Sequence, residues 1–130
     1  MTGLLDVESG SEALGVLERF VDMWRKVVAE DGASGHGFAG IAPESKAENR
    51  ASTEWLRNAF RSWIDLLAHQ FEAAGLAAAR ARAFATATVA GMEGALLLCR
   101  AEGNSEPLDV VARELARLLR AEEEGRQARP

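Results

Sequence analysis

Residues 83–99 form an apolar run, AFATATVAGMEGALLLC, that is interrupted by one charged side chain, Glu93. Arg82 and Arg100 stand immediately outside it. A membrane span needs about 20 apolar residues, and a charge near its centre costs about 3 kcal/mol on insertion scales. The run is too short and carries such a charge. We therefore interpret it as a helix buried inside a protein that has no membrane partner.

Such a helix can be covered entirely by its own chain, or on one side by a second subunit. A small helical chain has few elements with which to surround a central helix, so the dimer is favoured over the monomer. Ala87, Gly91 and Ala95 form a ridge of small residues along which another helix can approach closely. A buried carboxylate must be paired, hydrogen-bonded or neutral. We expect Glu93 to face an arginine of another helix or a helix N-terminus.

Apolar residues recur at spacings of three and four on either side of this run, which predicts further amphipathic helices. The four predicted helices cover residues 11–31, a segment within 45–74, residues 77–102, and a segment that starts after Ser105. Ser11 and Ser105 are the expected N-caps of the first and last helices. The start of the second helix is open, because the polar segment before Trp55 could be a loop or an exposed first turn, and Ser52 or Thr53 could also cap it. We predict an all-α fold with one domain over residues 11–122, a disordered segment or short lead over 1–10 and a frayed tail over 123–130.

The chain offers little sign of catalysis or of cofactor binding. Gly35 to Gly40 match the spacing GxGxxG, but that pattern binds dinucleotides only between a strand and a helix, and no strand is predicted. We interpret this glycine-rich segment as a connector. His36, His69 and Cys99 have no metal-ligand spacing. These absences predict a non-enzymatic protein without cofactor or metal.

Charge and the N-terminal sequence also limit the partners. The net charge is −5, from 15 basic and 20 acidic residues. Because phosphate backbones attract basic surfaces, we expect no direct contact with nucleic acid from this chain. The first residues, MTGLLDVESG, lack the basic and apolar regions of a signal peptide, so a cytoplasmic location is predicted.

Several short motifs in order resemble one known family. They are FVDMW at 20–24, FRSW at 60–63, AGL at 74–76, AGMEGALLLCR at 90–100 and EPLD at 106–109. Over roughly residues 11–120 the chain resembles the C-terminal regulatory domain of TetR-family transcriptional repressors, in the LmrA/YxaF-like subgroup. The resemblance implies an effector-binding domain whose last two long helices build a four-helix interface in a homodimer.

The resemblance also implies two sets of functional residues. The pocket for a small hydrophobic effector would include Phe20, Trp24, Phe38, Phe60, Trp63 and Met92. The dimer interface would include Gly91, Glu93, Gly94, Ala95, Leu98, Leu108, Val111 and Leu115. Family members begin with a helix-turn-helix domain, which ten residues are too few to form. The expected function is ligand sensing without a DNA reader; the alternative is an interaction protein that heterodimerises with a full-length relative.

Overall fold

Four helices make up the described part of the chain, and this part contains no strand. The computed structural model describes residues 12–31 and 46–128. We number the helices α1 (Glu12–Asp31), α2 (Lys46–Ala73), α3 (Ala78–Glu102) and α4 (Glu106–Ala128). The predicted all-α class with four main helices is confirmed. The predicted Ser11 cap and the glycine-rich segment with His36 and Phe38 lie outside the described residues.

The structure defines two helix boundaries that the sequence left open or placed elsewhere. Helix α2 begins at Lys46, inside the predicted range of 45–74, so the polar segment forms its first turns and neither Ser52 nor Thr53 caps it. The polar segment ahead of them is rich in lysine, alanine, glutamate and arginine, all of which favour helix. Helix α4 continues to Ala128 and therefore includes most of the segment predicted as a frayed tail. Glu123, in that segment, is buried against the rest of the chain.

The turn between α2 and α3 is fixed by a glycine. Gly75 has a φ of 115°, a value that L side chains rarely adopt. Its N–H donates to the carbonyl of Glu72 at 2.9 Å, and the N–H of Leu76 donates to the carbonyl of Phe71 at 3.0 Å. This is the Schellman arrangement, and its usual apolar contact is supplied by the buried Phe71 and Leu76. The predicted helix end at Gly75 is confirmed.

A second glycine sets the turn between α3 and α4. Gly103, with φ 79°, donates its N–H to the carbonyl of Cys99 at 2.8 Å. The side chain that caps α4 belongs to Asn104, whose Oδ1 accepts the N–H of Glu106 at 2.9 Å. Ser105 contributes its backbone carbonyl, which accepts the N–H of Leu108 at 3.1 Å. Ser105 therefore occupies the predicted N-cap position immediately before Glu106, while the side-chain hydrogen bond at this helix end comes from Asn104.

Helix α3 is the central element of the bundle and packs against all three other helices. The residues buried on its inner side are Ala81, Phe84, Ala85, Thr88, Val89, Met92, Ala95, Leu96 and Cys99. Thr88 is polar but satisfied, because its hydroxyl donates to the carbonyl of Phe84 at 2.8 Å. By length and composition α3 is apolar enough to cross a membrane, a test that core helices of soluble bundles also pass.

Surface ion pairs join neighbouring helices in the described part of the chain. Arg25 of α1 pairs with Asp109 of α4, and Arg82 of α3 pairs with Asp65 of α2. Arg80 of α3 approaches Glu122 of α4 at 3.2 Å. Exposed pairs of this kind contribute about 0.2–1 kcal/mol each, so they add little to the stability of the fold.

Close packing of α3 on α4 depends on Gly91. A Cβ atom placed there would lie 3.1 Å from Cγ1 of Val111 and 3.7 Å from Cδ1 of Leu115. A larger residue would push α4 away. Gly125 of α4 offers a matched control, because an added Cβ would meet nothing within 4 Å.

We expect Gly91→Leu to lower the free energy of unfolding by about 1 kcal/mol or more. Overpacking costs about 1–3 kcal/mol, and the gain from removing a helical glycine, up to about 1 kcal/mol, offsets it only in part. Gly125→Leu should be neutral or slightly stabilising. Urea denaturation followed by circular dichroism measures both. A Gly91→Leu variant as stable as the Gly125→Leu variant would contradict this packing.

Candidate functional site

Four aromatic side chains from α1 and α2 form a continuous cluster. The ring centroids of Trp24 and Trp63 are 5.5 Å apart, and the rings stand nearly perpendicular, at 83°. Phe20 lies 6.2 Å from Trp24 and 6.4 Å from Trp63. Phe60 lies 6.1 Å from Trp63. These edge-to-face contacts at 4.5–7 Å are the favoured geometry for aromatic pairs. Four predicted pocket residues therefore lie together, and we call them the aromatic cluster.

The cluster is buried to different depths. Trp24 is only 3% exposed, whereas Phe20, Phe60 and Trp63 are half-buried and pack against the core. Within the described part of the chain, the buried indole Nε1–H of Trp24 meets no hydrogen-bond acceptor. A buried donor without a partner costs about 1–3 kcal/mol. The cluster thus holds one polar group that an acceptor on a bound molecule would satisfy.

The other two predicted pocket residues are not part of this cluster. Met92 is fully buried on the inner side of α3, within the hydrophobic core. Its position suits packing beneath the cluster but leaves it without exposed surface. Phe38 lies outside the described residues.

A groove of about 370 Å³ opens beside the cluster, between α2 and α3. Its lining residues are Arg57, Phe60, Arg61, Ile64, Arg82 and Thr86. Phe60 belongs to both the groove and the aromatic cluster, so the two are continuous. The lining of the groove combines two apolar side chains, Phe60 and Ile64, with three arginines.

A second cavity of about 240 Å³ lies near the turn that joins α3 and α4. Its lining residues are Val28, Leu96, Cys99, Arg100, Gly103, Asn104 and Ser105.

Cys99 is buried on α3, and His69 is exposed on α2. Among the residues that the structure describes, no three side chains of histidine, cysteine, aspartate or glutamate are grouped to hold a metal ion.

The outer side of α3 is apolar and open. Leu97 and Leu98 are 47% and 53% exposed, and most of the other exposed positions on this side are small. They are Ala83, Ala87, Ala90 and Ala101, with the half-buried Gly94 between them. Leu118 and Val110 are exposed apolar residues of α4. We call these exposed apolar residues of the two helices the outer face of α3 and α4. Large contiguous apolar patches on a protein surface mark interaction sites.

The predicted interface residues fall into two groups. Leu98 and Gly94 lie on the outer face, and an added Cβ at Gly94 would meet nothing within 4 Å. Gly91, Glu93 and Val111 are half-buried, and both carboxylate oxygens of Glu93 are shielded from solvent. Ala95, Leu108 and Leu115 are buried within the chain itself, so they have little surface left for a second subunit.

Sequence reasoning missed two features of the site. The first is the exposed pair Leu97 and Val110, which the spacing of apolar residues on the outer side of α3 and α4 could have indicated. The second is the group of Arg57, Arg61 and Arg82 around the groove. The first two arginines are four apart and therefore share one side of α2, which the sequence alone shows. The approach of Arg82 depends on how α3 packs.

Comparison with known proteins identifies the family of the chain. Residues 13–114 match the family described as transcriptional regulator LmrA/YxaF-like, C-terminal domain. Two relatives from Mycobacterium tuberculosis, from strains CDC 1551 / Oshkosh and ATCC 25618 / H37Rv, are each 32% identical to the chain over 122 residues. Both are described as uncharacterised HTH-type transcriptional regulators.

The match to these relatives covers 89% of the chain and 63% of each relative, so the chain spans less than two-thirds of their length. No solved structure matches the chain. The resemblance drawn from the sequence motifs is confirmed by the family match, which extends over most of the helical bundle. The chain therefore belongs to the LmrA/YxaF-like group of TetR-type transcriptional regulators, whose C-terminal regulatory domain it carries.

Proposed function

We propose that this domain senses a small hydrophobic effector in the cytoplasm and transmits its presence through a homodimer, making no DNA contact of its own. The observation that carries the proposal is that α3 is apolar on two sides, one that faces the core and one that faces outward. Its inner side packs in the core with α1 and α2, which hold the aromatic cluster. Its outer side is open.

The aromatic cluster supports the binding of an apolar molecule. Ligand sites are concave, mostly apolar, and contain a few well-placed polar groups. Phe60 connects the cluster to the groove, which provides about 370 Å³ of space. The buried Nε1–H of Trp24 supplies one hydrogen-bond donor. We infer that the effector has an aromatic or aliphatic body with at least one acceptor oxygen or nitrogen.

The outer face supports a homodimer. Leu97, Leu98 and Leu118 each keep about half of their side-chain surface exposed in the isolated chain. Covering such surface gains about 25 cal/mol per Å² of apolar area. Two copies of α3 and α4 that meet across a twofold axis would cover it with a four-helix arrangement. The small residues around Gly94 would let the two α3 helices approach closely.

The aromatic cluster and the outer face are linked mechanically through α3. The helices that hold the cluster, α1 and α2, pack on one side of α3, and the outer face includes its other side. An effector that separates α1 from α2 would press on the inner side of α3, and α3 would move relative to its copy in the dimer. The effector then shifts the population between two dimer arrangements by as much as its affinities for them differ. In a regulator that also carries a DNA-binding domain, such a shift would alter operator affinity.

Binding of the neutral fluorescent probe N-phenyl-1-naphthylamine tests the ligand half of this proposal. We expect its emission to rise in the presence of the protein, because the cluster offers an apolar environment. Phe60→Ala should weaken the affinity about five- to tenfold, since it removes an aromatic partner and an apolar side chain from the lining of the groove. Leu66→Ala, at an exposed position of the same helix, is the matched control. Equal affinities for the two variants, or no binding at all, would contradict a site at the cluster.

Light scattering tests the dimer half. The wild-type protein should have twice the 14.0 kDa mass of one chain. The double variant Leu98→Glu, Leu118→Glu should be monomeric at the same concentration, because four carboxylates would then have to be buried in the interface. Leu66→Glu should remain dimeric, since Leu66 lies on α2, away from the outer face. Dissociation by Leu66→Glu in place of the double variant would mean that a different surface mediates the dimer.

A further inference from the structure

We propose that the effector is an amphipathic organic acid, with its carboxylate held in the groove by Arg57, Arg61 and Arg82. Its apolar body would run over Phe60 toward the aromatic cluster. This inference rests on the proposed ligand-sensing function and adds the chemical class of the ligand and its orientation.

The charge of the groove is the first argument. Three of its six lining residues are arginines, and none is acidic. The chain as a whole has a net charge of −5, so this group of three cations is opposite in sign to the net charge of the protein. Arg57 and Arg61 lie one helical turn apart on α2, and Arg82 reaches the groove from α3. Guanidinium groups form short, paired hydrogen bonds with carboxylates, which makes them well suited to hold one.

The ion pairing of these arginines is the second argument. Arg82 pairs with Asp65 across the α2–α3 contact. No carboxylate of the described residues forms an ion pair with Arg57 or Arg61. Two guanidinium groups beside two apolar side chains are therefore available to an anion, and the third can exchange its partner. Asp65 acts as a competitor for the incoming carboxylate.

The apolar surface between the charges is the third argument. Phe60 and Ile64 line the groove with the arginines, and Phe60 continues to Trp63 at 6.1 Å and from there to Trp24 at 5.5 Å. The groove has a volume of about 370 Å³ and is largely open to solvent. A simple inorganic anion would leave this apolar surface wet, and a neutral hydrocarbon would leave the arginines without a counter-charge. An acid with an apolar tail would cover the apolar surface and would also supply the counter-charge for the arginines.

Calorimetric titration of the full chain with decanoate and with 1-decanol, each below its aggregation concentration, tests the inference. The two probes share a tail and differ in the head group. We expect decanoate to bind about tenfold more tightly than decanol, with a preference that shrinks as salt is added, because the arginines are exposed. The double variant Arg57→Gln, Arg61→Gln should lose most of this preference while keeping its affinity for decanol.

Two further variants control for net charge and for loss of folding. Arg120→Gln removes a positive charge from α4, away from the groove, and should leave the decanoate affinity unchanged. Asp65→Asn should strengthen decanoate binding several-fold, because it removes the competing carboxylate and frees Arg82. A gain in affinity cannot come from misfolding.

The outcomes separate this inference from the proposed function. Equal binding of decanoate and decanol, or no binding of decanoate, overturns the assignment of an acid, whereas a neutral probe bound at the aromatic cluster would still support effector sensing. An effect of Arg120→Gln as large as that of the groove variant also overturns it. A decanoate preference that the groove variant loses and Asp65→Asn enhances supports it.

Discussion

Burial of α3 is the constraint on which the rest of the structure depends. This helix is apolar around most of its circumference, so it needs cover on more than one side. The chain supplies that cover on the inner side with α1, α2 and α4, and Gly91 lets α4 approach within van der Waals contact. On the outer side, residues 12–31 and 46–128 leave Leu97 and Leu98 half-exposed. A second copy of the same surface is the simplest apolar partner of matching shape.

The position of α3 would also connect the proposed ligand site to the proposed dimer interface. The aromatic cluster lies on α1 and α2, which pack against the side of α3 that faces away from the open surface. Well-packed interiors transmit displacement because they contain few voids. Under the proposed function, a molecule that enters between α1 and α2 would therefore act on the dimer without touching it. The surface ion pairs between helices contribute little energy, so they would allow such a movement at low cost.

The sequence predicted the helices well and the functional surfaces less completely. Apolar spacing identified four helices, because one side of an amphipathic helix is visible in a linear pattern. It did not separate the two sides of α3, since both are largely apolar. The pocket and interface residues came from the family resemblance, which does not indicate that the chain itself buries Ala95, Leu108 and Leu115. The groove was missed because Arg82 joins Arg57 only through tertiary packing.

Pulsed electron resonance on spin-labelled protein tests most directly whether a second copy covers the outer side of α3. A nitroxide attached at Gly94→Cys in a Cys99→Ser background sits where the structure leaves open space. The account predicts one well-defined distance between the labels of two subunits, shorter than the distance from labels at Leu66→Cys on α2. Absence of any dipolar coupling from position 94, or a shorter distance from position 66, would contradict it.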